Sequence, residues 1–346
     1  MNLTNVKITA LLIFQNLMMS SFNENIPSNE YCEKEDMSCF INEFPKTIKE
    51  FGYYFNEYGQ LRHSKTNEPF KFEVKEEDYD YNQRHYEILG ELVTEYVYEL
   101  LINDTGLVKK YIPFDASSDE PQTFVFISND VMKNQDKLLI LIHGSGVVRA
   151  GQWARRLIIN DCLDSGTQLP FIKRAQGLGF SVVVLNTNDN YKEINNQKVY
   201  IRGSENSDNH ALYVWKNIIQ KTPAKNIAII AHSYGGVVTM NLLNMLGEPF
   251  QNRVFAIALT DSVHSLSHQK VNSQAIQWLQ KVARNWVSSS QPLDTPLRTD
   301  QYEVPCVSAG DKRHEMTSWS SFASIFEFLD HKYQKSILNK VKKTKN

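Results

Sequence analysis

An apolar run that ends on a serine set between small residues is the feature that most constrains this chain. Asn226-Ile227-Ala228-Ile229-Ile230-Ala231-His232-Ser233-Tyr234-Gly235-Gly236 puts a strand, a sharp turn and the start of a helix over 237–246 into one segment. A strand apolar on both faces belongs inside a parallel sheet covered by helices. Ala231 and Gly235, two before and two after Ser233, are the small residues that so tight a turn needs. The pattern is G-x-S-x-G with Ala for the first Gly, a nucleophile elbow. It holds a hydroxyl at the sheet edge beside a helix N-terminus, whose open N–H groups favour negative charge. The segment implies acyl-transfer chemistry, or descent from it.

The rest of the chain beyond residue 121 repeats that grammar. Apolar runs at 123–127, 137–142, 181–185, 226–231, 254–259 and 304–308 predict strands. Helices are predicted over 170–178, 209–220, 237–246, 273–287 and 318–329. Strands alternating with helices predict an α/β fold with a doubly wound, mostly parallel sheet. With 346 residues, 42% of them hydrophobic, the chain can hold one large domain plus an N-terminal extension. The expected organisation is a largely disordered leader over 1–45, an extension over 46–120, the α/β domain over 121–334 and a basic tail over 335–346. Within the extension, 51–74 reads as short strands, and Tyr86, Leu89, Val93, Tyr96, Val97, Leu100 and Leu101 mark one face of a helix. That stripe is read as core. The polar, Asn-rich stretch 187–208 is read as an exposed loop.

In open α/β sheets the working groups collect beyond the carboxyl ends of the strands. Ser233, Asp261 and His314 each follow a predicted strand, in the order Ser, Asp, His that α/β-hydrolases use. A serine hydroxyl needs an imidazole to take its proton, and the imidazole needs a carboxylate to fix its tautomer. His314 is the expected base and Asp261 the expected acid, with Asp311 as the alternative acid. His264 and His268 are read as surface histidines, and His232 as structural. The turn His143-Gly144-Ser145-Gly146 after the 137–142 strand supplies an oxyanion hole from Gly144 and Ser145, with the N–H of Tyr234 as the other donor. Arg149, Arg155 and Arg156 around Trp153 have two readings: a site for an anionic group, or ion pairs with Asp161 and Asp164.

Several classes are set aside. No Walker loop, dinucleotide fingerprint or metal-ligand spacing occurs, so no cofactor and no metal is expected. A net charge of −2 gives no support for a general nucleic-acid surface, and no direct sequence-specific nucleic-acid binding is expected. Ile8–Phe14 behind Lys7 has the outline of a weak signal peptide within residues 1–21, too short to span a bilayer. On a secretory route Cys32 and Cys39 are able to pair and Asn103 is a glycosylation acceptor; off it they are free thiols and a plain asparagine.

Longer blocks carry a family resemblance. His143-Gly144-Ser145-Gly146-Val147-Val148-Arg149-Ala150-Gly151-Gln152-Trp153-Ala154-Arg155-Arg156 resembles the signature of the Argonaute-binding-protein-two (Arb2-like) domain. Its animal branch is sequence-similarity family 172, the cotranscriptional regulators. Ala231–Gly236, Leu259–His264, Trp286–Ser290 and the stretch from Val307 to Glu315 fit the same family. The resemblance implies an α/β-hydrolase-like fold. It also implies work alongside Argonaute, chromatin and spliceosome proteins in RNA silencing and splicing, in nucleus and cytoplasm, with a hydrolase activity on a small acyl substrate as the alternative. Relatives carry a long Lys- and Glu-rich insert where this chain has its Asn-rich loop.

Overall fold

Burial explains the order of the central sheet. In the computed structural model, which describes residues 44–344, a small hairpin pairs β1 (Tyr53–Phe55) with β2 (Leu61–His63), and a long helix α1 (Tyr79–Asn103) follows. The main sheet then takes β3 (Val108–Ile112), β4 (Thr123–Ile127), β5 (Lys137–Ile142) and β6 (Phe180–Val184). After a second hairpin, β7 (Tyr191–Ile194) and β8 (Gln197–Tyr200), the sheet is completed by β9 (Asn226–His232), β10 (Val254–Thr260), β11 (Ala283–Val287) and β12 (Cys306–Ser308).

The eight strands lie in the order β3-β4-β6-β5-β9-β10-β11-β12. All pairings from β6 to β12 are parallel, and β4 runs against both its neighbours. This is an α/β-hydrolase arrangement, as the sequence implied. Strands β9 and β10 are buried at every residue, because helices cover both faces. Chain order reverses around β5, which has β6 on one side and β9 on the other. The loops after β5 and β9 therefore meet at the switch point where α/β sheets place their sites.

Residues from Lys46 onward form one compact unit. Helix α1 packs its Val97 and Leu101 side chains against Gly151, whose φ of +86° and lack of a Cβ allow the approach. Just past α1, β3 adds an edge strand to the main sheet, so residues before 121 share its core. The leader, the signal-like run and the Cys32–Cys39 pair lie outside the described residues. At the other end, a helix over Phe322–Thr344 continues through most of the segment set apart as a basic tail.

Three local readings are corrected, and one strand is added. The helix predicted over 273–287 stops at Val282, and Ala283–Val287 is strand β11. Helix and strand abut with no Gly, Pro or polar turn between them, so nothing in the periodicity marks the change. The 187–208 stretch holds the β7–β8 hairpin, closed by Asn195 and Asn196 at φ +53° and +59°. Residues 70–74 form no strand, and β3 was not foreseen because exposed Val108 and paired lysines hide its alternation.

Candidate active site

Three steric facts fix the turn at Ser233. A Cβ on Gly235 would fall 2.6 Å from the Ile142 carbonyl oxygen and 2.8 Å from that of His143. One on Gly236 would overlap the Ser262 hydroxyl. Ala231 is fully buried within β9. The chain then turns into helix α2 (Tyr234–Leu246) through Ser233 itself, at φ 52° and ψ −118°. That is strained backbone for a residue with a side chain, of the kind found where function demands it. The Ser233 N–H donates to Thr260 O at 3.0 Å and its carbonyl accepts from Val263 N at 3.3 Å, which ties the elbow to the loop after β10.

Asp261 stands on that loop at φ 41°, its N–H donating to Trp286 O at 2.7 Å. Its Oδ2 accepts from His314 Nδ1 at 2.8 Å and its Oδ1 from the Ser288 N–H at 3.1 Å. Burial alone pushes this carboxyl up, but the bond and charge of His314, with the Ser288 N–H, outweigh it and hold it below the usual carboxylate value. A His314 bonded through Nδ1 leaves Nε2 as the working nitrogen. The ring lies against that of His232, with centroids 4.7 Å apart, so His314 sits at the elbow. Among the described residues no hydrogen bond reaches Ser233 Oγ; such bonds are often long until substrate closes the site.

Asp311 is turned elsewhere. Its carboxylate grips Arg313 at 2.8 Å and 3.1 Å and is held low by that contact. His232 is buried, its Nδ1 at 3.1 Å from Thr260 Oγ1, and burial lowers it to about 3. His264 corrects the surface reading: it is buried, bonds Ser262 Oγ through Nδ1 at 2.7 Å and faces Glu303 at 3.6 Å.

The turn after β5 meets the elbow at Gly144, where a Cβ would sit 3.1 Å from Ser233 Cβ. His143 is buried and lowered to about 4, so its neutral ring donates from Nδ1 to Gly144 O at 2.8 Å. Ser145 follows as an exposed residue of this turn, and Tyr234 is the first residue of α2. Arg149 points its guanidinium at the carbonyls of Gly146, Val147 and Val148, at 3.2–3.5 Å. Arg155 lies over Tyr86 at 5.3 Å, and Arg156 is exposed. None of the three forms an ion pair among the described residues. Ser288 was missed as a partner of the acid, although its signal, the Trp286–Ser290 block, was in view.

Among the described residues no group of three or more His, Cys, Asp or Glu side chains is placed to hold a metal, and no helix is long and apolar enough to cross a membrane.

The Arb2 domain family matches residues 44–293. The Cotranscriptional regulator ARB2A homolog of Xenopus tropicalis is 45% identical over 84% of this chain and 81% of its own length. The human Cotranscriptional regulator ARB2A is 45% identical over 83% of this chain and 80% of its own length. Among solved structures, a histone deacetylase from Saccharomyces cerevisiae aligns with 71% of this chain and 98% of its own, at 14% identity and a TM-score of 0.48.

Proposed function

The chain belongs to the Arb2 domain family, and from that premise we propose that its α/β-hydrolase scaffold carries a serine hydrolase site acting on an ester, thioester or amide. Ser233 is the nucleophile, His314 the base and Asp261 the acid. Ser233 Oγ attacks the acyl carbonyl while His314 Nε2 takes its proton. The N–H groups of the Gly144–Ser145 turn and of Tyr234 receive the developing oxyanion. His314 then protonates the leaving group, and water, activated by the same imidazole, releases the acid. One observation carries this reading: the 2.8 Å bond from His314 Nδ1 to a carboxylate that also accepts the Ser288 N–H. A surface histidine has no need of such a partner.

A second reading is favoured by the relatives named as cotranscriptional regulators: action through protein partners, with Argonaute, chromatin and spliceosome proteins as candidates and nucleus and cytoplasm as the compartments. The two are compatible. Labelling of the purified protein with a fluorophosphonate, with Ser233→Ala as control, tests the first. Wild type is expected to label and the variant to stay dark; equal silence removes the hydrolytic reading. Recovery of Argonaute from nuclear extract by both proteins supports the second, and failure to recover any such partner counts against it.

A further inference from the structure

The polar segment after β6 contributes a side chain that the reading above does not use. Asn188 places its amide nitrogen 2.9 Å from Gly144 O, 3.1 Å from Gly146 O and 3.1 Å from Val148 O. The same nitrogen is 3.4 Å from His143 Nδ1. Three carbonyl oxygens on one atom fix the orientation of the amide. Reversed, Asn188 would set its own oxygen against all three, with no donor among them. Two residues earlier, the buried Asn186 accepts the Ala150 N–H on Oδ1 at 2.9 Å and is itself pinned by Thr123 Oγ1 and His210 Nε2. Two asparagines at alternate positions thus grip both ends of the turn that follows β5.

A trans peptide sets its N–H opposite its C=O. Drawing the Gly144, Gly146 and Val148 carbonyls onto one amide therefore turns the N–H groups of those peptide planes away from Asn188. Arg149 reinforces the same arrangement from the Gly146–Val148 carbonyls. Gly144, at the near end of the turn, is the residue against Ser233. We infer that Asn188 is the positioning residue of the oxyanion turn: it fixes the orientation in which the turn's N–H face is offered to the acyl oxygen at Ser233. The inference rests on the hydrolytic reading for its catalytic meaning and on hydrogen-bond geometry for its structural one. Asn188 acts through the turn and touches no reacting atom. Residues 145–147 are exposed and Gly146 has nothing within 4 Å of where a Cβ would stand, so the bonds from Asn188, with those of Arg149, are what hold this part of the turn.

Asn188→Asp keeps the shape and removes the donors; Asn188→Ala removes both. Each full-length variant is compared with wild type by hydrogen exchange over residues 144–149, thermal unfolding and the kinetics of fluorophosphonate inactivation. Exchange at the Arg149 N–H, which is bonded to Gln152 Oε1 at 3.4 Å and lies in the Val148 peptide plane held by Asn188, is expected to rise at least about tenfold in both variants. The maximal inactivation rate is expected to fall about a hundredfold, near the loss of one oxyanion donor, while the concentration for half-maximal inactivation holds. A merely structural residue would change unfolding and leave that split unmoved. Unchanged exchange in Asn188→Asp overturns the inference whatever the labelling shows. So does a wild-type inactivation rate in a variant whose turn has loosened. If wild type itself does not label, the hydrolytic reading falls, and the exchange data alone decide whether Asn188 holds the turn.

Discussion

His314 Nδ1 and Asp261 Oδ2 meet at 2.8 Å across 53 residues of sequence, and among the described residues no lysine or arginine pairs with that carboxylate. Replacing that carboxylate by an amide keeps the packing and removes the charge that fixes the ring. Asp261→Asn is expected to lower fluorophosphonate labelling by about 10³–10⁴-fold, the cost of presenting a histidine in the wrong tautomer. Asp311→Asn, which frees only Arg313, is expected to leave labelling within about threefold of wild type. Reversed rankings in a labelling time course would reassign the acid.

The backbone at Ser233 offers a test that separates strain from chemistry. At φ 52° and ψ −118° a Cβ costs about 1–3 kcal/mol, and glycine escapes most of it. Ser233→Ala and Ser233→Gly should both abolish labelling. Ser233→Gly should also unfold at higher denaturant than Ser233→Ala, by about 1 kcal/mol after the greater freedom of glycine in the unfolded chain is counted. Equal midpoints in urea would show that the elbow is not strained.

Much of this was legible in the sequence for a physical reason. Strands β5, β9 and β10 are buried on both faces, so the residues between their ends are apolar without a break, and the turn after β9 admits only small neighbours. Constraints of that kind act on residues next to one another in the chain. What stayed hidden depends on partners far away. Ala283–Val287 becomes a strand because β10 and β12 flank it, not because its own pattern says so. His264 is buried by Glu303 and by a loop that no local signal brings near. Asn188 has meaning only once the turn at Gly144 is folded beside it.

Gly236 and Ser262 should behave as a coupled pair. A methyl on Gly236 overlaps Ser262 Oγ and comes within 2.7 Å of Ser262 Cβ, with Ser262 already committed to His264. Gly236→Ala is therefore expected to cost about 1–3 kcal/mol by overpacking. In the double variant with Ser262→Gly the overlap is gone, and the combined loss should fall short of the sum of the two single losses by about 1 kcal/mol or more. Strict additivity in chemical denaturation would place the cost of the alanine elsewhere.

The facing pair His264 and Glu303 gives opposite pH dependences, and one substitution separates them. Burial raises Glu303 to about 7, above its ordinary value of 4.5, while burial lowers His264 to about 4. Between pH 4.5 and 7 the folded chain keeps a proton on Glu303 that the unfolded chain has released, so stability from this group falls as pH rises and is lost above 7. His264 runs the other way: the unfolded histidine holds a proton below 6.5 that the folded one refuses, so its contribution grows as pH rises from 4 to 6.5. Glu303→Gln retains an acceptor for the Leu266 N–H, which now lies 3.0 Å from Glu303 Oε1, and removes only the first dependence. The variant should match wild type near pH 4.5 and exceed it at pH 8 by a margin on the order of 1 kcal/mol, allowing for partial exposure of the carboxylate. Thermal unfolding at the two pH values reads this out directly. A difference of equal size at both would mean that the substitution acts through packing and that the Glu303 proton has no part in it.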